Sequence, residues 1–483
     1  MYSQRAYATT RAAKRSRGKS GGNQPAIDEP KPKPKPTSWA ALLKPAGHAS
    51  HPTTTRNGYG GDTKVNGQAD IFYDENGVIK QRAFLTLEDA LENWQLVFSA
   101  PPVQPRGLVN TGNMCFMNVV LQALLYCAPV YNLLWGVKAS VAFNFKTTTP
   151  LLEALIQYVH EFRHNRTPLA HMLSDLEEPF VPENVYEALR QKNVFQTLRG
   201  QQEDAQEFMS YLVDGINEEM TDILSAHRLG ASLAATSLAN HEASSTSDNN
   251  SSWLEVGLHN KAMHIRDSNA AAIRTPITQI FGGTVQSTLA VPRVASGGIA
   301  HAPKSKAAQS SNREAFQWLA LDVSSNDVDT IEDAFDEFVA PEIIEGYMGA
   351  RGEPVAATKQ NLLERVPPVL VLHLKRFVFC PNDGVQKVHK FIEYPETLSM
   401  APKWFSKTAD AVRHRDAKYK LSGVIYHHGS QASGGHYTCD LLRSTNEWLR
   451  FDDVDIDCLS SIGDVLAEKK DRTAYILFYT IRH

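Results

Sequence analysis

The chain has 483 residues, 42% hydrophobic and 9% aromatic, with a net charge of −4. This composition suits a folded protein with a sizeable core. Five cysteines with no CxxC pair argue against a disulfide scaffold and fit a reducing compartment, and no apolar run approaches the roughly 18 residues of a membrane span.

Residues 1–60 carry eleven Lys/Arg against two Asp/Glu, or +9, which leaves −13 on the rest. The stretch 1–70 reads as a disordered, basic, Pro-rich tail, with KPKPKP at 31–36 extended and polyproline-like. Arg11–Lys19 (RAAKRSRGK) has the composition of a nuclear import signal or a nucleic-acid contact. The opening residues are Arg/Ser-rich with no acid before Asp28, like a mitochondrial presequence, and lack the apolar core of a secretory signal. A plain solvated tail accounts for the same features. The apolar island SWAALL at 38–43 is a candidate docking motif.

A lead-in segment follows over 71–104. TLEDALENW at 86–94 predicts a short helix with Thr86 as N-cap and Leu87, Ala90 and Leu91 on one face. PPVQP at 101–105 is stiff. It leads into GLVNTGNMCFMNVVLQALLY (107–126), an Asn/Gly loop running into an apolar helix with Cys115 at the junction and Pro129 as its stop. The unpaired N–H groups and positive dipole end of a helix start favour a thiolate there. Gly107 and Gly112 allow a tight loop, and Asn110 and Asn113 offer amide donors to an oxyanion. A buried, inert structural cysteine is the competing reading.

Residues 150–224 read as mostly helical, with Ala205, Phe208, Met209, Leu212, Val213 and Ile216 on one face. QQEDAQEF (201–208) puts acids in that helix's first turns, which a plain capped helix also explains. A flexible insertion is predicted over 225–252, β-type composition over TPITQIFGGTVQSTL, and a loose loop over 293–313. Strands are predicted at 316–323, 369–377, 419–428, 436–443, 447–453 and 474–481, and a helix at 331–339. The fold class is α+β: a helical half carrying Cys115 and a largely antiparallel half.

In GVIYHHGSQASGGHYTCDLL (423–442), His436 opens a strand right after Gly434–Gly435, and EWLRFDDVDI follows with Asp452 and Asp453 at a strand end. A hairpin can set Asp452 beside His436. Cys115, His436 and Asp452 are then the nucleophile, base and orienter that a papain-like thiol protease needs.

At this point the sequence resembles the ubiquitin-specific protease family of deubiquitinating enzymes. GLVNTGNMCFMNVVLQ is similar to the family's Cys box, GGHYTCDL…WLRFDD to its His box, and QQEDAQEF, VPPVLVLHLKRF and AYILFY to its further motifs, together covering 105–483. The resemblance implies a papain-like open hand of helical thumb, β palm and β fingers. It implies Cys115 as nucleophile, His436 as general base, Asp452 as its orienter, Asn110 as oxyanion donor and Asp453 as an assisting polar group. Gln202, Asp204 and Glu207 would bind ubiquitin's basic tail, and Gly435 and Tyr437 would narrow the channel to Gly-Gly. No cofactor is implied. Many members hold zinc in their fingers through two CxxC pairs; this chain lacks them, so no structural zinc is expected and the branch with degenerate fingers is the nearest match. The expected partners are ubiquitin and ubiquitinated proteins, with the tail a candidate contact for a regulatory protein, and with neither membrane nor nucleic acid. The expected location is the cytoplasm, with the nucleus an alternative. A ubiquitin-binding scaffold of weak activity and an isopeptidase for another ubiquitin-like modifier are the competing functions.

Overall fold

Apolar residues at helical spacing in the first half, and alternating in the second, build two unlike halves. The computed structural model describes residues 86–482 apart from 142–148, 168–175, 193–201, 239–253, 256–263, 268–272, 292–307, 350–351, 353, 381–383 and 432–433, together with 72–73 and 79–80. The basic stretch at 11–19 and the apolar island at 38–43 lie outside the described residues.

Strands β1 (Phe72–Tyr73) and β2 (Ile79–Lys80) pair antiparallel. Helix α1 (Leu87–Glu92) is capped as predicted: Thr86 Oγ1 accepts from the Asp89 N–H at 3.1 Å, and Leu87, Ala90 and Leu91 are buried. Helix α2 (Cys115–Tyr126) buries every residue from Cys115 to Leu125. Pro129 does not end the helical run. After Cys127 the axis turns by 82° and α3 (Ala128–Val141) begins with that proline in its first turn, where a missing N–H costs nothing. Helices α4 (Pro150–His160), α5 (Glu183–Gln191) and α6 (Ala205–Leu238) complete this half. The predicted face of α6 is buried, but the helix continues to Leu238, well into the stretch predicted as a flexible insertion. Ala and Leu in SAHRLGASLAATSL are strong helix formers, and they outweigh the Ser and Gly beside them.

The second half contains β3 (Leu254–Glu255), β4 (His264–Asp267), α7 (Pro276–Phe281), β5 (Gly283–Val291), β6 (Ala308–Phe316), β7 (Leu319–Asp322), α8 (Ile331–Val339), β8 (Glu342–Met348), β9 (Pro354–Arg365), β10 (Val369–Lys375), β11 (Phe377–Cys380), β12 (Gly384–Lys387), β13 (Thr397–Ser399), α9 (Ala409–His414), β14 (Lys418–Gln431), β15 (Gly434–Leu442), β16 (Trp448–Asp452), β17 (Asp455–Cys458), α10 (Ile462–Leu466) and β18 (Arg472–Arg482). Two predictions need correction here. The first part of TPITQIFGGTV is helix α7, because Thr275 caps it and Pro276 suits its first turn, whatever the β-type composition. Strand β6 starts at Ala308, inside the stretch predicted as a loose loop to 313.

The palm is an eight-stranded sheet in the order β17-β16-β15-β14-β18-β10-β7, with β13 also paired to β14. Alternate residues of its strands enter different cores. Val371, Ile425, Tyr437, Cys439 and Phe451 pack with the helices on one face, while Leu370, Leu372, Val424 and Leu477 pack with α8 and Trp404 on the other. The first of these cores sets α2 against β15 and so fixes the Cys115 helix on the palm. The fingers are a six-stranded sheet in the order β3-β4-β6-β5-β9-β8, and no cysteine occurs in any of its strands. Among the described residues, no single helix is long and apolar enough to cross a membrane.

Candidate active site

Cys115 is the first residue of α2 and is 2% exposed. The cap residue before it, Met114, is buried and makes no side-chain cap bond. The loop is instead closed by Asn110, whose Oδ1 accepts from the N–H groups of Gly112 at 3.1 Å and Met114 at 2.9 Å. Gly112 at φ 123° and the exposed Asn113 at φ 55° make the left-handed turn between them.

The same Asn110 is tied across the cleft. Its Nδ2 donates to Asp453 Oδ2 at 2.9 Å, while Asn118 Nδ2 donates to Asp453 Oδ1 at 2.8 Å. The Asp453 carbonyl accepts from the Leu108 N–H at 2.9 Å. Asp453 therefore clamps the Cys115 loop and the first turn of α2 to the end of β16. Gly107 permits this approach, since a Cβ there would meet the Val454 carbonyl at 2.6 Å. Asn118 is not among the residues that the motifs point to. Its only mark in the sequence is to be, with Gln122, one of two polar residues inside an apolar helix.

His436 sits on β15, and its Nε2 meets Asp452 Oδ1, the last residue of β16, at 2.5 Å. That leaves Nδ1 for the Cys115 thiol. The hydrogen bond that the charged ring donates to the Cys115 sulfur, opposed by burial and reinforced by Asp452, raises the imidazole from 6.5 to about 9. Thiol, imidazole and carboxylate are thus in one relay. The two carboxylates that follow each other in sequence do different work: Asp452 faces the imidazole and Asp453 faces the Asn110 and Asn118 amides.

The remaining predicted residues divide. Gln202 reaches the centre itself, with Nε2 3.7 Å from Cys115 Sγ and Oε1 accepting from the Gly435 N–H at 2.8 Å. Asp204 is committed to the fold. Its Oδ1 caps α6 through the Gln206 N–H at 2.7 Å, and its Oδ2 accepts from the Tyr475 hydroxyl at 2.5 Å. Glu207 is exposed on the first turn of α6, its carboxyl raised by partial desolvation and by Asp204 and Glu203. Gly435 lies against the neighbouring strand so closely that a Cβ would meet the His428 carbonyl at 2.3 Å and His427 Nε2 at 2.6 Å. Tyr437 is 2% exposed and packs under the site, its ring 4.8 Å from His427, another residue that no motif marks.

A helix-start thiol on a mostly helical half, facing a histidine and a carboxylate on an antiparallel sheet, defines a papain-like thiol hydrolase. Residues 106–479 match the family described as ubiquitin carboxyl-terminal hydrolase. The chain belongs to that family of cysteine-type deubiquitinating enzymes. It is 35% identical over 479 residues to the probable ubiquitin carboxyl-terminal hydrolase 3 of Schizosaccharomyces pombe, covering 92% of this chain and 86% of the relative. It is 31% identical over 474 residues to ubiquitin carboxyl-terminal hydrolase 10-A of Xenopus laevis, covering 92% of this chain but 57% of that protein. The fold is similar to the SAGA Ubp8/Sgf11/Sus1/Sgf73 DUB module bound to ubiquitin aldehyde, with a TM-score of 0.53 and 22% identity over 78% of this chain and 70% of the matched one.

Proposed function

We propose that the chain hydrolyses the isopeptide or peptide bond after the C-terminal Gly of ubiquitin on protein conjugates. The observation that carries this reading is the relay of Cys115, His436 and Asp452 beside the Gly434–Gly435 edge of β15. Cys115 sulfur attacks the Gly carbonyl carbon, and the oxyanion is received by the unpaired N–H groups at the start of α2 and by the second amide hydrogen of Asn110. His436 passes its proton to the leaving lysine amine, so the C–N bond breaks and a thioester remains. His436 then takes a proton from water, whose oxygen attacks the thioester and releases the ubiquitin carboxylate and the thiol. Asp452 keeps the imidazole oriented throughout.

The tail would run between the start of α6 and β15. Asp204 is spent on its cap and on Tyr475, so Glu203 and Glu207 are the acids available to the tail's basic side chains. The likeness to a DUB module that binds ubiquitin aldehyde supports ubiquitin as the partner. A regulatory protein contacting the N-terminal tail is proposed on its composition alone. A cytoplasmic or nuclear site of action suits a nucleophile that must stay reduced. Turnover of a ubiquitin C-terminal fluorophore tests the reading. Release of fluorophore supports it, binding without release favours a scaffold, and preferential turnover of another modifier's fluorophore redirects the substrate.

A further inference from the structure

Gln202 comes from the segment that leads into α6, and Gly435 from the start of β15, 233 residues later. Their hydrogen bond therefore joins opposite sides of the cleft in which Cys115 lies. A backbone N–H only donates, so the amide's oxygen must face Gly435 and its NH2 must face the sulfur. An amide held that way, oxygen on a wall N–H at 2.8 Å and nitrogen 3.7 Å from Sγ, has the shape and polarity of a peptide group of an extended tail. The Gly435 N–H has one hydrogen, and an incoming tail carbonyl can have it only after Gln202 lets go. Gly435 is backed closely by its neighbour strand, where even a Cβ would meet the His428 carbonyl at 2.3 Å and His427 Nε2 at 2.6 Å. Gln202 can let go: it is half-buried, precedes the helix and carries a long unbranched side chain.

We propose that Gln202 is a latch, whose amide occupies the Gly435 N–H and covers the thiol in the free enzyme, and which a Gly-Gly tail displaces as it enters. The inference rests on the reading of function above. It makes the cleft selective for a ligand that can return a backbone carbonyl to Gly435, since a ligand that cannot leaves a desolvated donor unmet.

The test is alkylation of the full chain by iodoacetamide, in which Cys115 sulfur displaces iodide, read by mass on the Cys115 peptide. Wild type, Gln202→Ala and Gln202→Asn are compared at the pH-independent plateau of rate, which reads the latch's cover and its Nε2 contact on the sulfur together. Asn is one methylene too short to span both partners. The latch predicts a plateau rate about two- to tenfold higher in both variants, the worth of one net hydrogen bond. A plateau equal to or below wild type in either variant overturns it. Failure of the wild-type chain to react with a ubiquitin C-terminal electrophile would strike the reading of function instead, and leaves the alkylation comparison intact.

Discussion

The Asn110 amide donates to Asp453 Oδ2 at 2.9 Å, across 343 residues of sequence, while its oxygen holds the N–H groups of Gly112 and Met114. One side chain thus closes the Cys115 loop and fastens it to the residue that follows β16, next to Asp452. The loop is built to a fixed position before any substrate arrives, which is what electrostatic stabilisation of an oxyanion requires.

Asp453→Ala should act as an oxyanion-loop mutant although Asp453 does not touch His436. It frees Asn110 and leaves the Asn118 amide, which is 2% exposed, with a long 3.4 Å bond to the Leu108 carbonyl. The expected loss in kcat is about 10²-fold, near the lower end for a lost oxyanion donor, with Asn110→Ala falling in the same range. Steady-state kinetics on the ubiquitin fluorophore check both. A loss under threefold for Asp453→Ala would separate the clamp from catalysis.

The imidazole sets an alkaline limit. His436 is raised from 6.5 to about 9 by the Cys115 hydrogen bond and by Asp452, against burial. The favourable interaction of the charged ring is complete below pH 6.5 and is lost as pH rises through about 9. The proton needed by the leaving amine disappears over the same window, so kcat/KM should fall on the alkaline side near pH 9. Asp452→Asn removes one of the raising groups and should move that limb to lower pH. A limb unmoved in Asp452→Asn would contradict the assigned orienter.

Asp204 is expected to matter for stability. Asp204→Ala removes the α6 cap and the acceptor for Tyr475, at a cost of about 1–3 kcal/mol in urea unfolding. Asp204→Asn keeps an oxygen acceptor and should cost less. Equal stability of wild type and Asp204→Ala would show that the cap is dispensable.

Gly435→Ala should damage the site through the backbone. The new methyl would lie 2.3 Å from the His428 carbonyl, so β15 must shift beside His436. A fall of at least about tenfold in kcat/KM is expected, with Tm measured alongside to follow any stability loss. Unchanged kinetics would mean that the wall is softer than its packing implies.

Much of the fold and the site is legible in the sequence because it is local. Thr86 announces a helix whose cap forms as expected, the helix predicted at 331–339 is α8, and the strands predicted at 436–443 and 447–453 are β15 and β16. The order of Cys115, His436 and Asp452 is readable because strand and helix-start chemistry leaves short-range marks. What escapes is decided at long range or by competing local signals. Pro129 reads as a stop, yet a proline in a first turn is equally a start, and only the 82° turn onto α3 distinguishes them. Strand β8 leaves no mark because its face carries Glu342, Glu345 and Gly346 and is mostly exposed, so it has no burial pattern. The pairing of Asp453 with Asn110 and Asn118, and the recruitment of Gln202 to the centre, span 87 to 343 residues that no spacing reveals.

The most direct test of the central claim is reaction of the full chain with a ubiquitin C-terminal electrophile, mapped by mass spectrometry. A single ubiquitin adduct on Cys115 in wild type and none in Cys115→Ala is the predicted result. An adduct that persists in Cys115→Ala, or that forms on Cys127, Cys380, Cys439 or Cys458, would contradict it.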